Sequence, residues 1–265
     1  VANKPIADRP ASIKPTTASL IRRLREAADP GRAKASLWFF KTGPGEYGEG
    51  DRFLGVAAQP LRQLAKDARD LPISEILKLM KSPWHEARSL GLLVLVHAYG
   101  RGDEARRQAI CDFYLGNTDR INGWDLVDCS APHIVGAHLE SRSRAPLKKL
   151  GRSKSLWERR IAILATLRFI RSGEFGPTLE ISKMLLDDRE DLIHKAVGWM
   201  LREVGKRDRA TLEGFLKEHA AAMPRTALRY AIERFPEPLR RSYLEGSRPM
   251  KNRERVTGSG EKSLK

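Results

Sequence analysis

The chain has 265 residues, 41% of them hydrophobic and 31% charged, too apolar for a disordered polymer and enough for one large domain or two small ones. Lys and Arg number 49 against 33 Asp and Glu, a formal charge of +16 at pH 7, so polyanions are the natural partners, nucleic acid phosphates first among them. No apolar run reaches the roughly 18 residues of a membrane span.

Residues 1–16 carry Lys and Arg but no apolar segment of the kind a secretory leader needs, and are expected to be a flexible arm. From Thr17 the periodicity is helical nearly everywhere. Ile73, Ile76, Leu77 and Met80 sit at i, i+3, i+4 and i+7, and Ile193, Val197, Met200, Leu201 and Val204 stripe a second helix. Prolines such as Pro72, Pro83, Pro132 and Pro224 recur between the periodic segments, so the helices are short and numerous. Residues 41–52, KTGPGEYGEGDR, form the one long Gly-rich interruption, and residues 246–265 read as a basic disordered tail. Between them, 17–245 is expected to be one all-α domain. Cys111 and Cys129 lie in apolar stretches without CxxC spacing, which points to a reducing compartment, with neither disulfide nor zinc.

An internal repeat is visible on alignment. HEARSLGLLVLV from His85, INGWDLVDCSAP from Ile121, WERRIAILATLR from Trp157 and LIHKAVGWMLRE from Leu192 put Arg88, Trp124, Arg160 and Lys195 in register. Each copy follows another short amphipathic helix, which predicts helix pairs stacked as a HEAT-like solenoid with a long concave surface. Four residues past the register three copies carry Leu92, Leu164 and Trp199, but the second carries Asp128. A carboxylate at such a position is costly unless it is paired or faces a cavity or ligand. Two readings stay open: an inter-repeat ion pair between Asp128 and Arg160 with Trp124 as ordinary core, or a functional strip of indole, carboxylate and cations. Asp125 reads as a charge at a helix start. A fixed carboxylate can stabilise the oxocarbenium-like sugar of a breaking glycosidic bond, and an indole face adds cation–π attraction.

FLGVAAQPLRQLAK from Phe53, WDLVD from Trp124, LWERRIAIL from Leu156 and KAVGWMLREVGK from Lys195 resemble segments of the AlkD-type DNA alkylation repair glycosylases, in family order and spacing, over roughly residues 20–235. The resemblance implies a HEAT-like DNA glycosylase acting on positively charged N3- and N7-alkylated purines in duplex DNA without base flipping, and needing no metal or cofactor. It places the catalytic carboxylate on Asp128, the flanking indoles on Trp124 and Trp199, and a phosphate-gripping arginine on Arg160. The family's aromatic residue ahead of the FLG segment falls nearest Tyr47, which could equally be a loop tyrosine packed on the first helices.

Other signals carry less. Gly43, Gly45 and Gly48 match GxGxxG, but no strand surrounds them, so a dinucleotide site is not expected. The six histidines lack metal spacing and read as surface or capping residues, Asp187 and Asp188 as a solvated turn. Arg142, Arg144, Lys148, Lys149, Arg152 and Lys154 cluster between the second and third copies and are expected, with Arg88 and Lys195, to meet phosphates. The sequence thus predicts a monofunctional alkylpurine DNA glycosylase, monomeric, bound to damaged double-stranded DNA, with no membrane association. Its expected place is the cytoplasm at a bacterial nucleoid, or the nucleus in a eukaryote. The rivals are a non-catalytic relative that binds distorted or branched DNA, and a scaffold for an acidic protein.

Overall fold

The computed structural model describes residues 15–246, and all regular structure among them is helical. The expected arm and tail therefore lie, apart from residues 15, 16 and 246, outside the described residues. Three helices open the chain: α1 (Thr17–Glu26), α2 (Pro30–Phe39) and α3 (Ala58–Asp67). Pairs follow. They are α4 (Ile73–Met80) with α5 (His85–Arg101), then α6 (Glu104–Leu115) with a broken helix made of α7 (Trp124–Asp128), a wide turn at Pro132–Gly136 and α8 (Ala137–Leu139). The next are α9 (Ala145–Gly151) with α10 (Leu156–Ala165) and its short continuation α11 (Leu167–Arg171), α12 (Gly176–Met184) with α13 (Asp191–Gly205), and α14 (Arg209–His219) with α15 (Arg225–Ala231). Glu237–Gly246 forms the last helix, α16. The four aligned sequence copies are thus the second helices of successive pairs, α5, α7, α10 and α13, as the repeat predicts.

Side-chain chemistry explains the boundaries. Asp103 and Asp208 cap α6 and α14 by accepting the N–H of Arg106 and Thr211, and Thr16 caps α1 in a reciprocal box with Ser19. Pro132 sits where the second copy widens into its turn, since its ring excludes the ordinary helical hydrogen bond. The stripe predicted for α13 is buried in full. In α4 the core takes Ile76, Leu79 and Met80, with Leu77 half-buried, so the expected stripe is turned by part of a residue. Helix α5 lacks a polar face over most of its length because neighbours enclose it, and Leu92 and its α10 counterpart Leu164 are fully buried. Close approach between repeats needs glycine twice: a Cβ on Gly136 would lie 2.3 Å from the Ala165 carbonyl oxygen, and one on Gly198 2.4 Å from that of Ala227.

Candidate functional site

Helices α7, α10, α13 and α15, together with the end of α2 and the Gly-rich loop, surround a cavity of about 660 Å³. Six residues singled out in the sequence, Tyr47, Trp124, Asp128, Arg160, Lys195 and Trp199, line it. The register made this possible. Asp128 and Trp199 stand in the cavity at the positions where Leu92 and Leu164 fill the core.

Asp128 is held rigidly. Arg160 Nε donates to its Oδ1 at 2.9 Å and Nη2 to its Oδ2 at 2.8 Å, a two-pronged pair with the carboxylate 16% exposed. Arg160 Nη1 donates to the Leu192 carbonyl at 2.6 Å, so the guanidinium spans α7, α10 and the first turn of α13. Burial pushes the Asp128 carboxyl above its ordinary range, the Arg160 fork pulls it back, and the charge of Asp125 adds to the upward push. The inter-repeat ion pair and the cavity-facing carboxylate, which the sequence leaves as alternatives, are both present in the same residue. Arg160 is 4% exposed and gives three of its five N–H donors to Asp128 and Leu192, so what the structure shows of it is the orientation of Asp128.

Aromatic rings form one wall. Trp124 stacks on Phe40 at 5.3 Å between centroids and meets the edge of Phe39 at 5.7 Å. Tyr47 lies edge-on to Trp157 at 6.1 Å. Burial raises the pKa of its phenol, against the opposing effects of the Trp124 side chain and the Lys195 charge. The opposite wall is α13, where Trp199 Nε1 donates to Glu203 Oε1 at 3.2 Å and Lys206 binds the same oxygen at 2.6 Å. Lys195 pairs with Asp191 at 2.7 Å, which raises its pKa and keeps it charged.

Beside this cavity is a buried charge chain that the sequence reading missed. His85, 3% exposed, places Nδ1 2.8 Å from Asp51 Oδ2 and Nε2 2.8 Å from Asp125 Oδ2. Arg88 closes the chain on the other oxygen of Asp51. Burial works to lower the His85 pKa, but the bonds and charges of Asp125 and Asp51 outweigh it and raise it to about 9. The imidazole ring stacks on Phe53 at 4.7 Å.

Four expectations are corrected here. Arg88 is 6% exposed and turned into the interior on Asp51, so it is not offered to phosphate. Asp125 is a partner of His85, more than a charge at a helix start. Among the histidines, His85 and His138 are buried, contrary to their reading as surface residues, and Asp188 is held by Arg159 Nε at 2.5 Å with only 5% of its side chain exposed. Lys148, Lys149, Arg152 and Lys154 sit on α9 and the turn after it, apart from the cavity lining, and Lys148 pairs with Glu180 of α12 at 2.7 Å. Arg142 and Arg144 pair with Glu104 and Glu174.

Cavity residues that the sequence did not single out are Phe39, Lys41, Glu190, Asp191, Leu192, Arg202 and Tyr230. Arg202 was within reach, because it follows Trp199 by three in a helix and so shares its face. Phe39 and Lys41 flank a helix end whose direction periodicity does not give.

An all-helical repeat with a buried, arginine-paired carboxylate opening into an aromatic and cationic cavity is thus the class of protein that fold and site define. The profile of the DNA alkylation repair enzyme family matches residues 20–235, and the chain belongs to that family. A solved structure described as a predicted DNA alkylation repair enzyme from Enterococcus faecalis is similar at a TM-score of 0.61 and 17% identity, over 79% of this chain and 97% of its own. At that identity the likeness is one of fold. No curated protein matches the chain.

Proposed function

We propose that the protein is a monofunctional DNA glycosylase that hydrolyses the N-glycosidic bond of 3-methyladenine, 7-methylguanine and related cationic purines in damaged duplex DNA. Membership of the family supports a role in repair of alkylated DNA. The observation that carries the finer reading is Asp128: a carboxylate fixed by a two-pronged arginine, facing a cavity walled by Trp124 and Trp199. As the bond to a cationic base breaks, positive charge moves onto the sugar, and a carboxylate already oriented needs no rearrangement to meet it. At about 4 Å and an effective dielectric of about 20, such a pair attracts by roughly 4 kcal/mol, on the order of a thousandfold in rate. Water at the same carboxylate would add its oxygen to the sugar carbon that the base has left and give its proton to that carboxylate. The alkylated base leaves as a neutral molecule, so no acid is required for it, and the base is released from the duplex without being flipped into a pocket. Trp124 and Trp199 take the sugar and backbone, and Lys195 and Lys41 the neighbouring phosphates. A monomer acting in the cytoplasm at the nucleoid, or in a nucleus, completes the reading.

One observation favours a second reading, in which distorted DNA is bound without excision: Arg160 neutralises Asp128 in the resting protein. Wild type and Asp128→Asn, incubated with a duplex holding one 7-methylguanine, separate the two. Base release by wild type, reduced about a thousandfold in Asp128→Asn with affinity held within about threefold, is expected. Salt-sensitive binding with no release of 7-methylguanine or 3-methyladenine would establish the second reading, and absence of DNA binding would leave the acidic-protein scaffold.

A further inference from the structure

Among the described residues the exposed large hydrophobic side chains are Leu37, Trp38, Phe39 and Tyr230. Three are consecutive on α2, and the fourth lines the same cavity as Phe39. Exposure of this kind is therefore gathered at the rim of one site, where scattered single residues would need no explanation. Trp38 is the extreme, 84% exposed. Packing does not account for it, because none of the ten residues of α2 is buried.

Helix geometry locates the indole. Successive residues turn by about 100°, so with Phe39 against Trp124, Trp38 stands outside the cavity wall, on the flank a ligand in the cavity would pass. Its neighbours on that flank are Gly31, Lys34 and Ala35, at seven, four and three residues before it. Two are too small to cover an indole and the third is an exposed cation. Lys41, also exposed and lining the cavity, follows the helix in a left-handed turn at φ 51°. The carboxylates at the start of α2 and in the Gly-rich loop near Lys41 are engaged elsewhere. Asp29 caps the far end of α2, and Glu46 and Glu49 accept the backbone N–H groups of Gly43 and Gly45.

We propose that α2 and the turn after it form a second nucleic-acid contact at the rim of the cavity, in which Trp38 stacks on an unstacked base of a distorted duplex while Lys34 and Lys41 meet the flanking phosphates. The inference rests on the proposed function for its ligand, distorted duplex DNA, and does not depend on base release. Stacking suits a protein that must accept any sequence, since every base has a π-face. A regular duplex keeps those faces covered, whereas damaged or unpaired positions give them up at lower cost. Trp38 thereby tells distorted from regular DNA, and the two lysines add affinity that falls with salt.

The test uses the full chain with two duplexes, one regular and one holding a tetrahydrofuran abasic analogue opposite 2-aminopurine. Wild type is expected to prefer the abasic duplex and to change the 2-aminopurine emission on binding. Trp38→Ala should lose about tenfold in affinity for that duplex, less than about twofold for the regular one, and the emission change with it, while Trp38→Phe recovers most of both. Circular dichroism of each variant checks the fold, which an exposed side chain does not support. Equal losses on the two duplexes, no loss on either, or a dimer in wild type that Trp38→Ala dissolves would each overturn the proposal, the last by showing a second copy on this face. DNA binding with the expected Trp38 effect but no excision by wild type would sink the glycosylase reading and leave this contact standing; excision with an indifferent Trp38 would do the reverse. Absence of DNA binding by wild type would end both.

Discussion

Asp125 and Asp128 lie three residues apart in the same short helix, yet they have different neighbours and different work. Asp128 faces the cavity, fixed by Arg160 from the next repeat. Asp125 is held from the preceding repeat by His85, whose other nitrogen ties in Asp51 of the Gly-rich loop and, through it, Arg88. Each carboxylate is matched to one cation on a neighbouring helix, and between them they pin α7 from both sides. The difference teaches that a buried ion pair here has two uses: one fixes a carboxylate toward the cavity, the other fastens the loop carrying Tyr47 to the helix carrying Trp124 and Asp128.

Breaking the first pair should have the largest effect. Arg160→Ala leaves Asp128 buried without its counter-charge and is expected to cost about 3–5 kcal/mol in chemical denaturation, with base release lost in the same variant. Asp128→Asn strips Arg160 of its counter-charge in turn but should cost less stability, since the guanidinium keeps the Leu192 carbonyl and can still donate to the amide oxygen. Equal losses in the two variants would mean that the pair is only a brace.

The second pair carries the pH dependence. His85 is protonated in the folded protein up to about 9 and in the unfolded chain only up to about 6.5. Its stabilisation is therefore complete below about pH 6.5 and lost as pH rises through 9. The difference corresponds to the order of 3 kcal/mol, and His85→Gln should remove that slope from a series of denaturation curves. A slope that persists in the variant would place the titrating group elsewhere. The first pair has its own signature on the acid side. Because burial raises the Asp128 carboxyl above its ordinary value, base release should fall with acid at a higher pH than an exposed aspartate would give, and this limb should move further up when Arg160 is replaced by Lys, which cannot reproduce the fork.

The smallest effects belong to the cations of α9 and the turn after it. Lys149, Arg152 and Lys154 are exposed, but none lines the cavity. Replacing the three by Gln should leave base release unchanged and lower the salt slope of DNA binding by less than about one unit, against close to one unit for Lys41→Gln alone. A slope falling by nearly three units would bring α9 back into the DNA path expected from the charge cluster.

The repeat was legible because its apolar positions recur every 35 or 36 residues, and burial then follows from periodicity. Asp128 was legible for the opposite reason: it breaks the pattern its sister positions keep as Leu92 and Leu164. Trp124, Trp199 and Lys195 followed from the same register, and all reach the cavity. Register alone misplaced Arg88, which shares the alignment of Trp124 and Arg160 but meets Asp51, a partner supplied by an irregular loop with no period to read. The same loop concealed the role of His85 and Asp125, and the end of α2 concealed Phe39 and the exposed Trp38. The amino-acid sequence by itself determined the helical repeat, the surplus of positive charge and the one carboxylate out of place, because these depend on spacing and composition. Only the tertiary structure decided which cation each carboxylate keeps and which aromatic rings stay in water, because those outcomes depend on how loops and helix ends bring distant residues within hydrogen-bonding reach.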